Sequence, residues 1–264
     1  MYLFELPPEL SLPLLLLLCV GAFAAGALDA IVGGGGLIQI PVLFATLPGV
    51  PAATLLGSNK LSGIWGTSAA AWRYGRSVQI AWPVVLPGAL AAFLCAFLGA
   101  VALTHLPSDL FRKLLPCVLL GVAIYTFRKR DFGAHHAPHR AGWAATLPAM
   151  LFGGAIGFYD GFFGPGTGSF LVFLFVRYFG FDFLRASAAA KVVNVACNLS
   201  ALVWFGVTGH LLVALGLSMA VFNVAGSLLG SRLAIRRGSQ FVRKVFLIVV
   251  GVLVLRTGYD AWLR

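Results

Sequence analysis

Charge is what this chain has least of. Only 10% of its 264 residues are Asp, Glu, Lys or Arg, against about 25% in an ordinary soluble domain. That shortage excludes a water-soluble globular protein. Acidic residues are scarcest: 8 Asp+Glu against 19 Lys+Arg leave a net charge of +11. In a polar chain this excess would point to nucleic acid. Here the cations stand singly or in short clusters between long apolar runs, the pattern that fixes membrane orientation, so no nucleic-acid partner is expected. The four cysteines, Cys19, Cys95, Cys117 and Cys197, lie inside apolar runs without CxxC spacing and read as small packing residues that assign no redox compartment. HExxH and GxSxG patterns are lacking, and the histidines outside the centre of the chain, His105 and His210, fall near segment edges. An intramembrane enzyme is therefore the weakest of the functional classes.

Hydrophobic residues, by contrast, make up 60% of the chain, with a mean hydropathy of +0.95. One crossing takes about 20 apolar residues, so this length holds at most about eight to ten spans and leaves no room for an extramembrane domain. The first apolar run, Leu12 to Ala27, is preceded by Glu5 and Glu9 without Lys or Arg. It does not read as a cleaved secretory signal and is expected to stay in the mature protein.

Two apolar segments, Leu37 to Leu47 and Phe170 to Phe179, are too short to cross. Each follows a glycine-rich break, Gly33-Gly34-Gly35-Gly36 or Gly164-Pro165-Gly166-Thr167-Gly168. Aligning the breaks also pairs Asp29 with Asp160, Lys60 with Lys191, Gly99 with Gly230, Arg112 with Arg243 and Lys113 with Lys244, all at one offset of 131 residues. The offset pairs rare residues rather than abundant leucines, so the chain reads as two copies of one unit. The first copy covers 1–130, with a broken element over 12–47 and helices over 52–73, 80–103 and 113–128. The second covers 143–264, with a broken element over 143–180 and helices over 185–207, 210–233 and 242–263. Between them, 131–142 is a basic cytoplasmic linker. Its His135, His136 and His139 lack the further Cys or Glu ligand that would complete a metal site, and neither metal nor cofactor is expected.

Loop cations decide the topology. If all eight long segments crossed, the two sides would carry seven and nine loop cations, which is no bias. If the broken element of each copy is re-entrant, thirteen fall on one side, leaving Arg112, Lys113 and Arg264 on the other. The cytoplasmic excess of Lys and Arg favours the second arrangement, with both chain ends outside. Three crossings per unit then make the repeats inverted. The expected fold is an all-α polytopic membrane protein of two inverted repeats, each opening with a broken, re-entrant helix followed by three transmembrane helices. Irregular backbone at membrane depth must be enclosed by protein or line a water-filled cavity. Inverted repeats whose discontinuous helices meet near the midplane are the architecture of secondary transporters.

Several residues can carry chemistry there. The half-helices after each break present unpaired N–H groups at Gly33, Gly34, Gly35 and Gly36 and at Gly164, Gly166, Thr167 and Gly168, a seat for an anion. The alternative is that these glycines only permit close helix crossing. Lys60 and Lys191 lie roughly 9 to 14 Å below the interface at 1.5 Å per residue, where a cation costs about 3 kcal/mol or more and is paired or lines a polar path. They either pair with Asp29 and Asp160 within each repeat or both face the cavity and attract substrate. The two aspartates, four residues ahead of Gly33 and Gly164, cap freed N–H groups of the break or carry a coupling proton, capping being favoured. Ser58, Asn59, Ser62 and Thr67 surround Lys60, and Asn194 and Asn198 share a helix face with Lys191. They line a cavity or bond helix to helix.

Gly26-Ala-Leu-Asp29 running into the four glycines, Gly57-Ser-Asn-Lys60-Leu61, Ala190-Lys191-Val-Val-Asn194 and above all Gly157-Phe-Tyr-Asp-Gly-Phe-Phe-Gly-Pro-Gly-Thr-Gly168 resemble the sulfite exporter TauE/SafE family, particularly its YfcA-like branch. The resemblance runs from about Leu12 to Trp262. It implies a bacterial inner-membrane, multi-pass transporter of small anions, with sulfite, sulfonates and sulfur-containing organic acids as the family's range. The expected activity is secondary transport, in the export direction, by alternating access, with a small anionic solute, the lipid bilayer and a coupling proton or sodium ion as partners. A passive anion channel would use the same positive helix ends without a closing step.

Overall fold

The computed structural model describes residues 6–7, 10–114, 117 and 143–262. The linker 131–142, its histidines and most of the helix expected over 113–128 lie outside them. Among the described residues the main helices are α1 Leu12–Val32, α2 Gly35–Thr46, α3 Ala52–Ser77, α4 Trp82–Thr104, α5 Trp143–Phe162, α6 Thr167–Arg177, α7 Phe183–Val207 and α8 Val213–Trp262. A further helical stretch begins at residue 108, and no strand occurs among the described residues. Among the described residues, four segments are long and apolar enough to cross a membrane: α1, α4, α7 and Val213–Val242 of α8. α2 and α6, at 12 and 11 residues, are not. Within α8, Gly238, with φ of 69° and ψ of −172°, breaks the helical backbone between the stretches expected as helices over 210–233 and 242–263.

The helices are inside-out by soluble standards. On α4, Trp82, Leu86, Leu90, Leu94 and Leu98 form an exposed stripe at four-residue spacing, while Val85, Ala89, Ala92, Ala96 and Ala100 are buried behind it. Large side chains face outward because lipid is as apolar as leucine, and small ones face inward because backbone approach drives packing there. α4 packs on α5 and α1 packs on α8. A Cβ on Gly99 would lie 2.2 Å from the Phe158 carbonyl oxygen, and one on Gly230 would lie 2.3 Å from that of Ala27. The second contact is the first with both residues moved by the 131-residue offset and the partners exchanged, the signature of an isologous, two-fold-like relation. Within each repeat a helix start is held in a similar way: the Ala52 N–H donates to Ser108 Oγ and the Leu184 N–H donates to Ser239 Oγ, each at 3.2 Å.

α3 and α7 carry the polar residues and sit at the centre. On α7, Lys191, Asn194 and Asn198 are buried along one face with Ala190, Cys197 and Ala201. On α3, Ser58, Asn59, Lys60, Ser62 and Thr67 are buried while Trp65 and Trp72 point outward. Asp182 starts α7 by accepting from the Arg185 N–H at 2.9 Å, an N-cap of the ordinary kind.

Candidate functional site

The two glycine breaks meet. α1 ends at Gly33, whose φ of 80° requires glycine, and a Cβ there would sit 2.2 Å from the Gly168 carbonyl carbon. A Cβ on Gly168 would reach Gly33 Cα at 2.4 Å. No side chain fits between the two backbones. The last carbonyls of α1, which a helix end leaves unpaired, are taken up by other elements. Tyr74 Oη donates to Ala30 at 2.8 Å, Ser187 Oγ to Ile31 at 3.0 Å and Ser169 Oγ to Val32 at 3.1 Å. The Ser169 N–H donates to Gly33 at 3.1 Å. The second break closes within itself: Thr167 Oγ1 donates to Gly164 at 2.9 Å, and Tyr159 Oη donates to Pro165.

Beside this junction lies a cavity of about 50 Å³, several times the roughly 10–15 Å³ that admits one water. It is lined by Gly33, Gly35 and Gly36, by Gly164, Thr167 and Gly168, and by Asp29, Asn59, Lys60, Asp160, Asn194 and Asn198. Gln39, Gly63, Thr67 and Asn223 complete the wall. Neither half-helix start, Gly34 for α2 nor Gly166 for α6, has a side-chain cap, and first-turn residues of both helices, Gly35 and Gly36 of α2 and Thr167 and Gly168 of α6, line the same space, where helix ends carry partial positive charge. Gly34, Gly166 and Lys191, singled out in the sequence with the others, are not among the lining residues.

The ion pairs run between the repeats. Lys60 of the first repeat binds Asp160 of the second, with both side chains under 5% exposed. Lys191 of the second binds Asp29 of the first at 2.7 Å, and the lysine is fully buried. Pairing within each repeat, one of the sequence expectations, is thereby corrected. So is the expectation that both lysines face the cavity, because Lys191 is sealed behind Asp29 and only Lys60 lines the space. Nor do the carboxylates cap the breaks: Asp29 accepts from Lys191 and, at 3.3 Å, from Thr67 Oγ1, while its backbone oxygen receives the Gly33 N–H at 2.8 Å. The lining thus carries one ammonium, Lys60, and two carboxylates, Asp29 and Asp160, whose second counter-ion, Lys191, lies behind the wall.

Against known proteins, the model of the family described as Sulfite exporter TauE/SafE matches residues 18–257. The chain belongs to the TauE/SafE family. It is 37% identical over 251 residues to "Probable membrane transporter protein ORF9" of Sinorhizobium sp, covering 94% of each chain. It is 34% identical over 251 residues to "Probable membrane transporter protein YfcA" of Escherichia coli strain K12, covering 94% of this chain and 91% of that one. It is 33% identical over 247 residues to a "Probable membrane transporter protein" of Haemophilus influenzae, with 94% and 95% covered. No solved structure matches. This TauE/SafE protein is a multi-pass membrane transporter and not an enzyme.

Two polar lining residues of this family member escape a sequence reading: Gln39, in the short apolar helix α2, and Asn223, inside α8. Their positions under the repeat offset are Phe170 and Ala92, so the repeat gives no hint of either. Other lining positions are likewise unequal. Asn194 answers to Gly63, Asn198 to Thr67 and Asn59 to Ala190, which makes a nearly symmetric frame hold an asymmetric cavity.

Proposed function

We propose that the protein is a secondary transporter of a small oxyanion, sulfite, a sulfonate or a related organic acid, that exports its substrate across the bacterial inner membrane by alternating access. One observation carries this reading: the first turns of two half-helices, neither with a side-chain cap, line one polar cavity together with Lys60. Such ends favour negative charge, and broken helices at a repeat interface are where secondary transporters hold their substrates. The inverted orientation of the repeats follows from the loop cations. The description of the family names sulfite. A cavity of this size suits an anion of a few heavy atoms.

Coupling belongs to the same reading. With Lys60 against Asp160 and Lys191 against Asp29, the side chains are electrically balanced, and an entering anion leaves an excess negative charge in a low-dielectric site. A proton taken up by Asp160 restores the balance and frees the Lys60 ammonium for the substrate. Asp160 is hydrogen-bonded by Lys60, and Asp29 by Lys191 and Thr67. Proteoliposomes test the whole scheme. Saturable counterflow of radiolabelled sulfite that responds to an imposed pH gradient is expected. Unitary currents would replace the carrier by a channel, and flux indifferent to the gradient would remove the proton.

A further inference from the structure

Among the described residues, two buried side-chain polar atoms have no hydrogen-bond partner, Gln39 Nε2 and Ser62 Oγ. Of the two residues, only Gln39 lines the cavity. Gln39 is 3% exposed, and an unpaired buried amide is costly enough that it is seldom retained without a use. Resting on the anion-carrier reading and deepening it, we propose that Gln39 is the substrate's specificity-determining contact, offering two N–H donors to the anion's oxygens.

The sense of this amide is fixed by a relay. Asn223 Nδ2 lies 3.2 Å from the Ala22 carbonyl oxygen and 3.2 Å from Gln39 Oε1. A backbone carbonyl only accepts, so it holds the Asn223 NH₂ end toward itself and toward Gln39. Gln39 must answer with its oxygen. Its NH₂ group is left facing away from the relay, with both hydrogens unused. Asn223 in turn sits in a slot cut by two glycines. A Cβ on Gly66 would lie 1.9 Å from Asn223 Oδ1, and one on Gly26 would lie 2.2 Å from the Asn223 carbonyl oxygen. The relay therefore spans α1, α2, α3 and α8, and since 170 is Phe and 92 is Ala, the other repeat has no equivalent. A free NH₂ edge is a contact that an oxyanion's acceptors can use and a cation cannot, and its presence on one side orients the bound anion.

Sulfite, methanesulfonate and acetate binding to the purified protein, measured by titration calorimetry, tests this. Gln39→Met keeps the bulk and removes the donors, and it should weaken the best-bound anion about ten- to a hundred-fold, the range for a hydrogen bond to a charged group. Gln39→Glu, equal in size, should weaken it further, and it decides the matter if the methionine variant does not fold. Asn223→Asp leaves Gln39 in place but cannot donate to it, so Gln39 should reverse, present its oxygen to the cavity and lose a similar factor. Wild-type affinity in a folded Gln39→Met or Gln39→Glu variant overturns the assignment and leaves the carrier reading intact. A wild-type protein that binds none of the three anions overturns both.

Discussion

Lys60 and Asp160 are each under 5% exposed, and a pair removed from water gains little over an apolar pair of the same shape, yet losing one member is severe. Lys60→Met should thus lower stability in detergent by about 3–5 kcal/mol, the usual cost of a buried charge left without its partner. Lys60→Met combined with Asp160→Leu should recover most of that loss without restoring sulfite transport. Thermal unfolding beside the transport assay checks both, and a double variant that transports at the wild-type rate would make the pair a structural bond only. The lysines were visible in the sequence as cations too deep to snorkel, and the aspartates through the shared offset. Their exchange of partners was not, because a sequence gives the depth of a residue on its own helix and not the neighbour that helix meets. Gln39 was hidden for a related reason: one amide in an apolar half-helix carries no periodicity.

At the scale of elements, the short helices exist because glycine stops α1 and α5 before the chain has returned to the surface. Gly33 and Gly164 take φ values of 80° and 85°, and the freed carbonyls of the first break are paired by Tyr74, Ser187 and Ser169 from three different helices. Where the two breaks meet, Gly33 lies on Gly168 backbone against backbone. Neither chain can swing aside. Gly168→Ala should cost at least about 1–3 kcal/mol, as overpacked interiors do, and separate the helix ends that form the cavity. Gly75→Ala is the contrasting case: nothing lies within 4 Å of its added Cβ, and within α3 it should gain up to about 1 kcal/mol. Melting temperatures of the two variants check the pair of outcomes. The glycine runs announced the breaks in advance, since four successive glycines weaken any continuous helix. Which break borrows its hydrogen bonds and which closes on itself depends on Ser169, Ser187 and Tyr74, whose hydroxyls have no reach until the helices pack.

For the molecule as a whole, the two repeats are locked by exchange. α4 lies on α5, α1 lies on α8, and each lysine finds its carboxylate in the other copy. On the alternating-access proposal, opening the cavity to one side and then the other would move one repeat against its counterpart across the Gly33–Gly168 contact. Orientation is the most direct check at this scale. With the loop cations placed by the positive-inside rule, Ser77→Cys, on the exposed end of α3, should react with a membrane-impermeant maleimide only from the cytoplasmic side in a cysteine-free background. His105→Cys, exposed beyond α4, should react only from outside. Labelling of both from one face would discard the three-crossing arrangement.

Composition by itself determined that this is a helical membrane protein, because a chain with so few charges has no other solvent in which to fold. The 131-residue offset determined that it is built twice, and the glycine runs determined where its helices fail. Tertiary structure alone decided the rest: that lysine and aspartate pair across copies, that Lys191 is sealed while Lys60 faces the cavity, and that Asn223 turns Gln39 toward it. The physical reason is one of range. Solvent preference and backbone freedom are properties of a residue and its near neighbours, whereas a hydrogen bond between α2 and α8 joins positions 184 residues apart and exists only once the packing of four helices has brought them within 3.2 Å.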